Sequence, residues 1–460
     1  MSIGSCPHDA GVPAGLLLGW CGDDFTGSAA VMEVLGFSGL PARLFLRMPT
    51  PGDLAAAPHL RAFGVATTAR TYAPWQMQAE FPALFHAFRD IGAPLFHYKV
   101  CSTLDSSERT GSIGCAADIG LEVFPASWAP VLVAAPPMGR YQAFGTLFAE
   151  AFGSIHRLDR HPVMRRHPVT PMDEADVACH LARQTAHAVA CLDLAGFADA
   201  ADRLARLRQG GARLITLDAI DQDTLAVCGE LLWTHRRDAP FVIGSQGVEY
   251  ALIAYWIRQG WLPPAQPVPS AGRAEAMVVV SGSVSPVTQR QIDWAQAHGF
   301  EGIPLDPVAL MDPASSQLAE RHAVSAALEA LGRGLDPLIH TARGPDDPRV
   351  QRFQGWIGRA GTPIADANVR IGSALGRVLD RILEDTGVRR AVISGGDTSG
   401  HAVRELDILA LEPLAPTIPG ASVCTVIANN HLDGLQLALK GGQMGSEDYF
   451  GWVREGGGAR

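Results

Sequence analysis

The chain has 460 residues, long for one domain and sufficient for two α/β domains of about 200 residues each. Of these, 47% are apolar and only 18% charged, which excludes a disordered or fibrous chain. A formal net charge of −10 leaves no basic surplus for neutralising a nucleic-acid backbone, so no nucleic-acid partner is expected.

Strands and helices alternate along the N-terminal half. Short apolar runs at 16–21, 63–66, 95–100, 131–135, 190–194, 214–217 and 241–243 read as buried strands. Amphipathic stretches at 174–189 and 222–233 read as helices between them. A proline-rich segment at 260–272 breaks the pattern. A second α/β series then starts at 276–280 and continues with a strand at 337–341, a helix at 371–383, a strand at 390–393 and strands within 423–440. The expected fold is α/β, with two domains that each carry a mainly parallel sheet flanked by helices. The expected boundaries are 15–258 for the first domain, 259–275 for the linker and 276–452 for the second domain.

The eight cysteines (Cys6, Cys21, Cys101, Cys115, Cys179, Cys191, Cys228 and Cys424) include no CxxC pair and read as thiols of a reduced, cytoplasmic enzyme. Leu16-Leu17-Leu18 lacks the basic flank of a signal peptide, the first Lys or Arg being Arg43. No apolar run approaches the roughly 18 residues of a membrane span, so no membrane partner is expected.

Among 37 basic residues only Lys99 and Lys440 are lysines. An ammonium is a compact point charge and a guanidinium a wide planar fork, so a tight anion pocket would select lysine at these two places.

Both lysines fall in candidate motifs. Gly22-Asp23-Asp24-Phe25-Thr26-Gly27-Ser28 follows the first strand and precedes a helix. One aspartate there would face a ligand while the other caps the helix, and a plain capping turn is the alternative. Tyr98-Lys99-Val100-Cys101-Ser102-Thr103-Leu104-Asp105-Ser106-Ser107 ends another strand in a cluster of hydroxyls suited to a polyhydroxy acid. Arg70 and Arg140 lie near other predicted carboxyl edges and could reach an acid. In the second half, Ser281-Gly282-Ser283-Val284-Ser285-Pro286 and Gly395-Gly396-Asp397-Thr398-Ser399-Gly400 join strands to helices, as phosphate-binding turns do. Lys440-Gly441-Gly442-Gln443 is a glycine-rich turn that could cover phosphates. His161 and His167 read as part of a solvated loop.

Taken in order, these motifs resemble the four-carbon acid sugar kinase family, whose pattern comprises ADDFTGA, an arginine, KYCSTFDST, GSCSPxT, GGETSG and LKSGNFG. The resemblance spans about residues 15–452. It implies a kinase that transfers phosphate from ATP, with Mg²⁺, to a hydroxyl of a small sugar acid in a cleft between the two domains. It further implies acid binding by Asp23, Asp24, Arg70, Lys99, Cys101, Ser102, Thr103, Asp105 and Arg140. ATP would be held by Ser281, Ser283, Gly395, Gly396, Asp397, Thr398, Gly441 and Gly442, with Asp397, Asp23, Asp24 and Lys440 taking part in catalysis. The metal ligands are left unassigned and a homodimer is left open. Ser112 and Thr146 stand where members often have Asn and His, which implies a roomier acid pocket. A non-catalytic sugar-acid sensor, and a lyase or dehydrogenase acting on a phosphorylated acid, are the alternatives.

Overall fold

The computed structural model describes residues 12–460, the side chain of Asp397 excepted, so Cys6 lies outside the described residues. The chain divides into two units, the first ending at Gln266 and the second running from Pro267 to Arg460.

The first unit contains strands β1 (Leu18–Gly22), β2 (Ala42–Phe45), β3 (Ala62–Ala66), β4 (Leu95–Lys99), β5 (Ala129–Leu132), β6 (Arg140–Ala143), β7 (Thr146–Ala151), β8 (Ser154–Arg157), β9 (Val189–Leu192), β10 (Leu214–Leu217) and β11 (Phe241–Gly244). Eight of them run parallel in the order β2-β3-β1-β4-β11-β5-β10-β9. The chain leaves β1 for the β2-β3 side and returns to pair β4 on the other side. Strand order therefore reverses between β1 and β4, where open α/β sheets bind ligands beyond the carboxyl ends of their strands. Both faces are covered, so β1, β4, β5, β10 and β11 are buried along their whole length. The helix Pro74–Ile91 shows how: Met77, Phe81, Phe85 and Phe88 recur at three- and four-residue spacing and are its buried residues. Phe85 and Phe88 lie 4.9 and 4.7 Å from Phe96 of β4, ring centre to ring centre.

The second unit contains β12 (Val278–Ser281), β13 (Phe300–Pro304), β14 (Asp336–His340), β15 (Arg390–Ser394), β16 (Ile408–Ala415), β17 (Val423–Ala428) and β18 (Gln436–Lys440), in the order β13-β14-β12-β15-β18-β17-β16. The first five are parallel; β17 and β16 continue the sheet antiparallel. Its order reverses between β12 and β15, which gives a second crevice of the same kind.

Two local expectations fail. Residues 174–189 do not form one helix, because only Val177–Ala182 is helical. The chain then turns so that the Gln184 side chain accepts from the amides of Ile113 (2.8 Å) and Gly114 (3.4 Å) at the start of the helix Ile113–Val123. His161 is not solvated: it is 5% exposed, and its Nδ1 accepts from the amides of Val163 and Met164. The antiparallel sheet β6-β7-β8 escaped the sequence reading altogether. Its two turns are Phe144-Gly145 and Phe152-Gly153, with both phenylalanines at positive φ, a position more often filled by Asn or Asp. Among the described residues no helix is long and apolar enough to cross a membrane.

Candidate functional site

In the first unit the site grows out of the β1–β4 pairing, in which Gly22 stands opposite Lys99. The next residue, Asp23, donates its amide to the Lys99 carbonyl at 2.9 Å, which pins the two strand ends together. Arg70 reaches this point from the 3₁₀ turn after β3, its own amide bonded to the Asp23 carbonyl. Its Nη2 donates to Asp23 Oδ1 at 2.8 Å and its Nε to Oδ2 at 3.2 Å, a two-pronged ion pair. The same Nη2 lies 2.9 Å from Asp24 Oδ1. That oxygen also accepts from the Gly27 amide at 2.9 Å, so Asp24 caps the helix Phe25–Phe37. Burial pushes the Asp23 carboxyl up, and the Arg70 guanidinium beside it pulls the other way.

Lys99 is 2% exposed, with its Nζ donating to the Val100 carbonyl at 2.7 Å. A Cβ placed on Gly27 would lie 2.7 Å from that nitrogen, so the glycine makes room for the ammonium. Beyond Lys99 the chain folds into a turn that brings Cys101 Sγ within 3.0 Å of Thr103 Oγ1, which donates to Asp105 Oδ1 at 2.7 Å. Burial, then the Asp105 charge, pushes the Cys101 thiol up to about 11, so it serves as a thiol and not a thiolate at neutral pH. Seven of the predicted acid-site residues, Asp23, Asp24, Arg70, Lys99, Cys101, Thr103 and Asp105, thus lie in the linked β1, β3 and β4 loops, and Ser102 sits within the same turn. Arg140 does not join this linked set: it opens β6, and its Nη1 donates to the carbonyls of Met138 (3.0 Å) and Gly139 (3.2 Å). Ser112 is a helix cap, its Oγ accepting from the Cys115 amide at 3.1 Å.

In the second unit three turns meet at the carboxyl ends of β12, β15 and β18, where Ser281, Ser394 and Lys440 are in register. Ser285 caps the helix Pro286–Ala297 through the Thr288 amide and also donates to the Gly442 carbonyl. Thr288 Oγ1 lies 2.9 Å from both Ser283 Oγ and the Gly442 carbonyl, which ties the first turn to the third. The second turn is tied in by backbone bonds from the Gly282 amide to the Ser394 carbonyl and from the Gly395 amide to the Lys440 carbonyl. A Cβ on Gly282 would come within 2.6 Å of Thr398 Oγ1, and one on Gly395 within 2.3 Å, so only glycine allows the turns to close on that threonine.

Lys440 is 1% exposed, and its Nζ donates to the Gly441 carbonyl at 2.9 Å and to Thr288 Oγ1 at 3.5 Å. Burial pushes its pKa down to about 8.

The three turns form the polar end of a cavity of about 560 Å³ that includes Ser283, Ser285, Gly396, Thr398 and Gly442. Its other walls are Val284, Pro307, Val350, Phe353, Ile364 and Ile371, with the amides of Gln354 and Asn368 among them. Ser281 lies below the lining, its Oγ accepting from the Ser283 amide at 3.4 Å. Asp397 opens the helix Asp397–Glu405, and its side chain lies outside the described residues. The apolar walls were missed by the sequence reading. The signal available was Val350, Phe353 and Ile357 at helical spacing within Pro348–Ala360, a helix that buries none of its residues completely.

A hydroxyl-lined pocket with apolar walls suits a nucleotide, and a cluster of part-buried Arg70 with buried Asp23 and Lys99 beside hydroxyls suits a small polyhydroxylated anion. Comparison with known proteins agrees. Residues 18–252 match the model of a sugar-binding N-terminal domain, and residues 278–450 that of a nucleotide-binding C-terminal domain. The chain is 44% identical to a 3-oxo-isoapionate kinase of Paraburkholderia graminis, over 96% of this chain and 95% of that one. It is 31% identical to a 3-oxo-tetronate kinase of Pseudomonas fluorescens, over 94% and 95%. A crystal structure from Salmonella typhimurium LT2 superposes with a TM-score of 0.73 at 25% identity, covering 95% of this chain and 98% of that one. One from Haemophilus influenzae has a TM-score of 0.71 at 22% identity, covering 95% and 99%, and shares the fold.

The protein is a two-domain phosphotransferase, a kinase with a sugar-binding and a nucleotide-binding half. It belongs to the four-carbon acid sugar kinase family.

Proposed function

We propose that the enzyme transfers the γ-phosphoryl group of ATP to a hydroxyl of a branched 3-oxo sugar acid of the 3-oxo-isoapionate type. The observation that carries this reading is the 44% identity to a 3-oxo-isoapionate kinase over nearly the whole chain, against 31% for a 3-oxo-tetronate kinase. The part-buried Arg70 and the buried Lys99 beside the hydroxyls of Ser102 and Thr103 support a carboxylate-bearing, hydroxylated ligand. The three-turn cavity supports ATP, with phosphates toward Ser283, Thr398 and Gly442 and the base toward Phe353 and Ile371.

In the transfer, the acceptor oxygen forms a bond to the γ-phosphorus, the bond from that phosphorus to the β,γ-bridging oxygen breaks, and ADP departs. Phosphoryl transfer asks the protein mainly for positioning and charge neutralisation. Lys440 supplies positive charge at the cavity's polar end. Among the described residues no group of three His, Cys, Asp or Glu side chains is placed to hold a metal ion. The hydroxyls of Ser283 and Thr398 in the cavity lining would be the protein partners of a Mg²⁺ bound with the phosphates, where it would neutralise phosphate charge. Asp23 has both oxygens on Arg70 and orients that guanidinium. The hydroxyl proton is left to Asp24 or Asp397. Asp24→Asn and Asp397→Asn, compared by kcat at saturating substrates, separate the two: loss of the base lowers kcat by about 10²-fold or more.

The substrate assignment is tested by kcat/KM with ATP and Mg²⁺ for 3-oxo-isoapionate, 3-oxo-tetronate, erythronate and threonate. A pocket built for the extra carbon should favour the branched acid by about 10- to 200-fold. A preference for threonate would overturn the assignment and keep the kinase.

A further inference from the structure

We propose that His180 and Gln184 are positioning residues of the sugar-acid site, which through Ser106 hold the turn 101–107 in its ligand-ready shape. This inference rests on the reading of that turn as the acid-binding segment.

The turn does not hold itself. Leu104 sits in its middle at φ +53°, in the left-handed region that a non-glycine residue enters at a cost of roughly 1 kcal/mol or more. The Leu104 side chain is fully buried, so the turn cannot relax by swinging it into solvent. Its carbonyl is held by Ser106, whose Oγ donates at 3.1 Å. Ser106 in turn is 3% exposed and is gripped from outside the turn. His180 Nε2 lies 2.9 Å from its Oγ, and Gln184 Nε2 donates to the same Oγ at 3.0 Å. Gln184 Nε2 also lies 3.0 Å from His180 Nε2.

The Ser106 hydroxyl has one hydrogen, spent on the Leu104 carbonyl, and two lone pairs free to accept. Gln184 Nε2 and His180 Nε2 then both donate to Ser106 Oγ. His180 therefore carries its proton on Nε2, and its Nδ1 is a buried atom without a hydrogen-bond partner. A neutral imidazole suits these surroundings, since burial pulls the His180 pKa down to about 4. Gln184 Oε1 meanwhile accepts the amides of Ile113 and Gly114. One side chain therefore locks both the hydroxyl turn after β4 and the start of the helix that follows it. Neither residue lies in a motif, because His180 comes from the short helix Val177–Ala182 and Gln184 from the turn after it, some 75 residues further along the chain.

The experiment is steady-state kinetics with ATP and 3-oxo-isoapionate on His180→Phe, His180→Gln, Gln184→Glu and Ser106→Ala, with Arg70→Ala as reference. His180→Phe keeps the bulk and loses the donor to Ser106 Oγ; Gln184→Glu keeps the helix-start acceptor and loses its donor to the same oxygen. Each should raise KM for the acid by about 10-fold, the worth of one or two buried hydrogen bonds, and leave KM for ATP unchanged. His180→Gln should recover part of the loss. His180→Phe combined with Ser106→Ala should cost no more than either alone, because both cut the same link. Unchanged acid KM in folded His180→Phe and Gln184→Glu, with Arg70→Ala impaired, would overturn the positioning role alone. Unchanged acid KM in Arg70→Ala as well would overturn the reading of the acid site with it.

Discussion

Arg70 and Asp23 face each other through two hydrogen bonds, Nη2 to Oδ1 at 2.8 Å and Nε to Oδ2 at 3.2 Å, although 47 residues separate them. The guanidinium is thereby held in one orientation beside Asp24, and the Lys99 charge also acts on Asp23.

Arg70→Lys should therefore behave as a severe change. An ammonium cannot bond both oxygens of Asp23 in a plane and still reach Asp24. Acid KM should rise by about 10-fold or more, with KM for ATP unaffected, as read by initial rates at fixed saturating co-substrate. Breaking the pair outright with Arg70→Ala leaves a 4% exposed carboxylate without its partner. That should cost about 1–3 kcal/mol in urea unfolding, a figure reduced for the partial exposure of the arginine.

Lys440 predicts a pH dependence. Its folded-state pKa is depressed from 10.5 to about 8 by burial. From pH 8 to 10.5 the unfolded chain holds a proton that the folded chain has released, so this group makes stability rise with pH across that window. Function should move the opposite way. The ammonium is lost above about pH 8, so kcat/KM for ATP should fall there, and Lys440→Met should abolish both that limb and the stability trend. An unchanged alkaline limb in the Met variant would show that Lys440 does not meet phosphate.

Gly282→Ala should damage nucleotide binding. The added methyl would meet Thr398 Oγ1 at 2.6 Å, its Cβ at 2.9 Å and its Cγ2 at 3.0 Å, forcing apart the turns after β12 and β15. Overpacking of this kind costs about 1–3 kcal/mol. ATP affinity measured by calorimetry should drop by about 10-fold or more, and Gly282→Ala with Thr398→Ser, which removes Cγ2, should recover part of it.

Asp218 carries a stability prediction in a region where no active-site role is assigned. Fully buried at the end of β10, it accepts from the Gln142 amide group (3.1 Å) and from the backbone amides of Phe144, Gly145 and Leu194. Asp218→Asn turns one acceptor oxygen into a donor facing other donors. It should lower stability by about 3 kcal/mol and Tm by roughly 6–12 °C, with the KM for ATP unchanged.

Much of this enzyme was written locally. The apolar runs that became β1, β4, β11, β12 and β15 are continuous because both faces of a parallel sheet are covered, and a continuous run survives reading one residue at a time. The scarcity of lysine pointed to Lys99 and Lys440, and both are buried at strand ends. The turns rich in Gly, Ser, Thr and Asp announced themselves because close approach and anion contact demand those residue types.

Tertiary structure decided what depends on which strands lie side by side. Strand order places the reversal between β1 and β4 and again between β12 and β15, and strand order leaves no trace in local composition. The Arg70–Asp23 pair, the grip of His180 and Gln184 on Ser106, and the closure of Gly282 and Gly395 on Thr398 all join separate segments. Arg140, which looked equivalent to Arg70 in the sequence, was drawn by β6 into bonds with carbonyls of its own loop. The sheet β6-β7-β8 stayed hidden because its turns use Phe-Gly, where a folded register, and no turn-forming side chain, supports the positive φ. A side chain's type sets what it can bond to. Which partner it meets is set by backbone geometry accumulated over the whole domain.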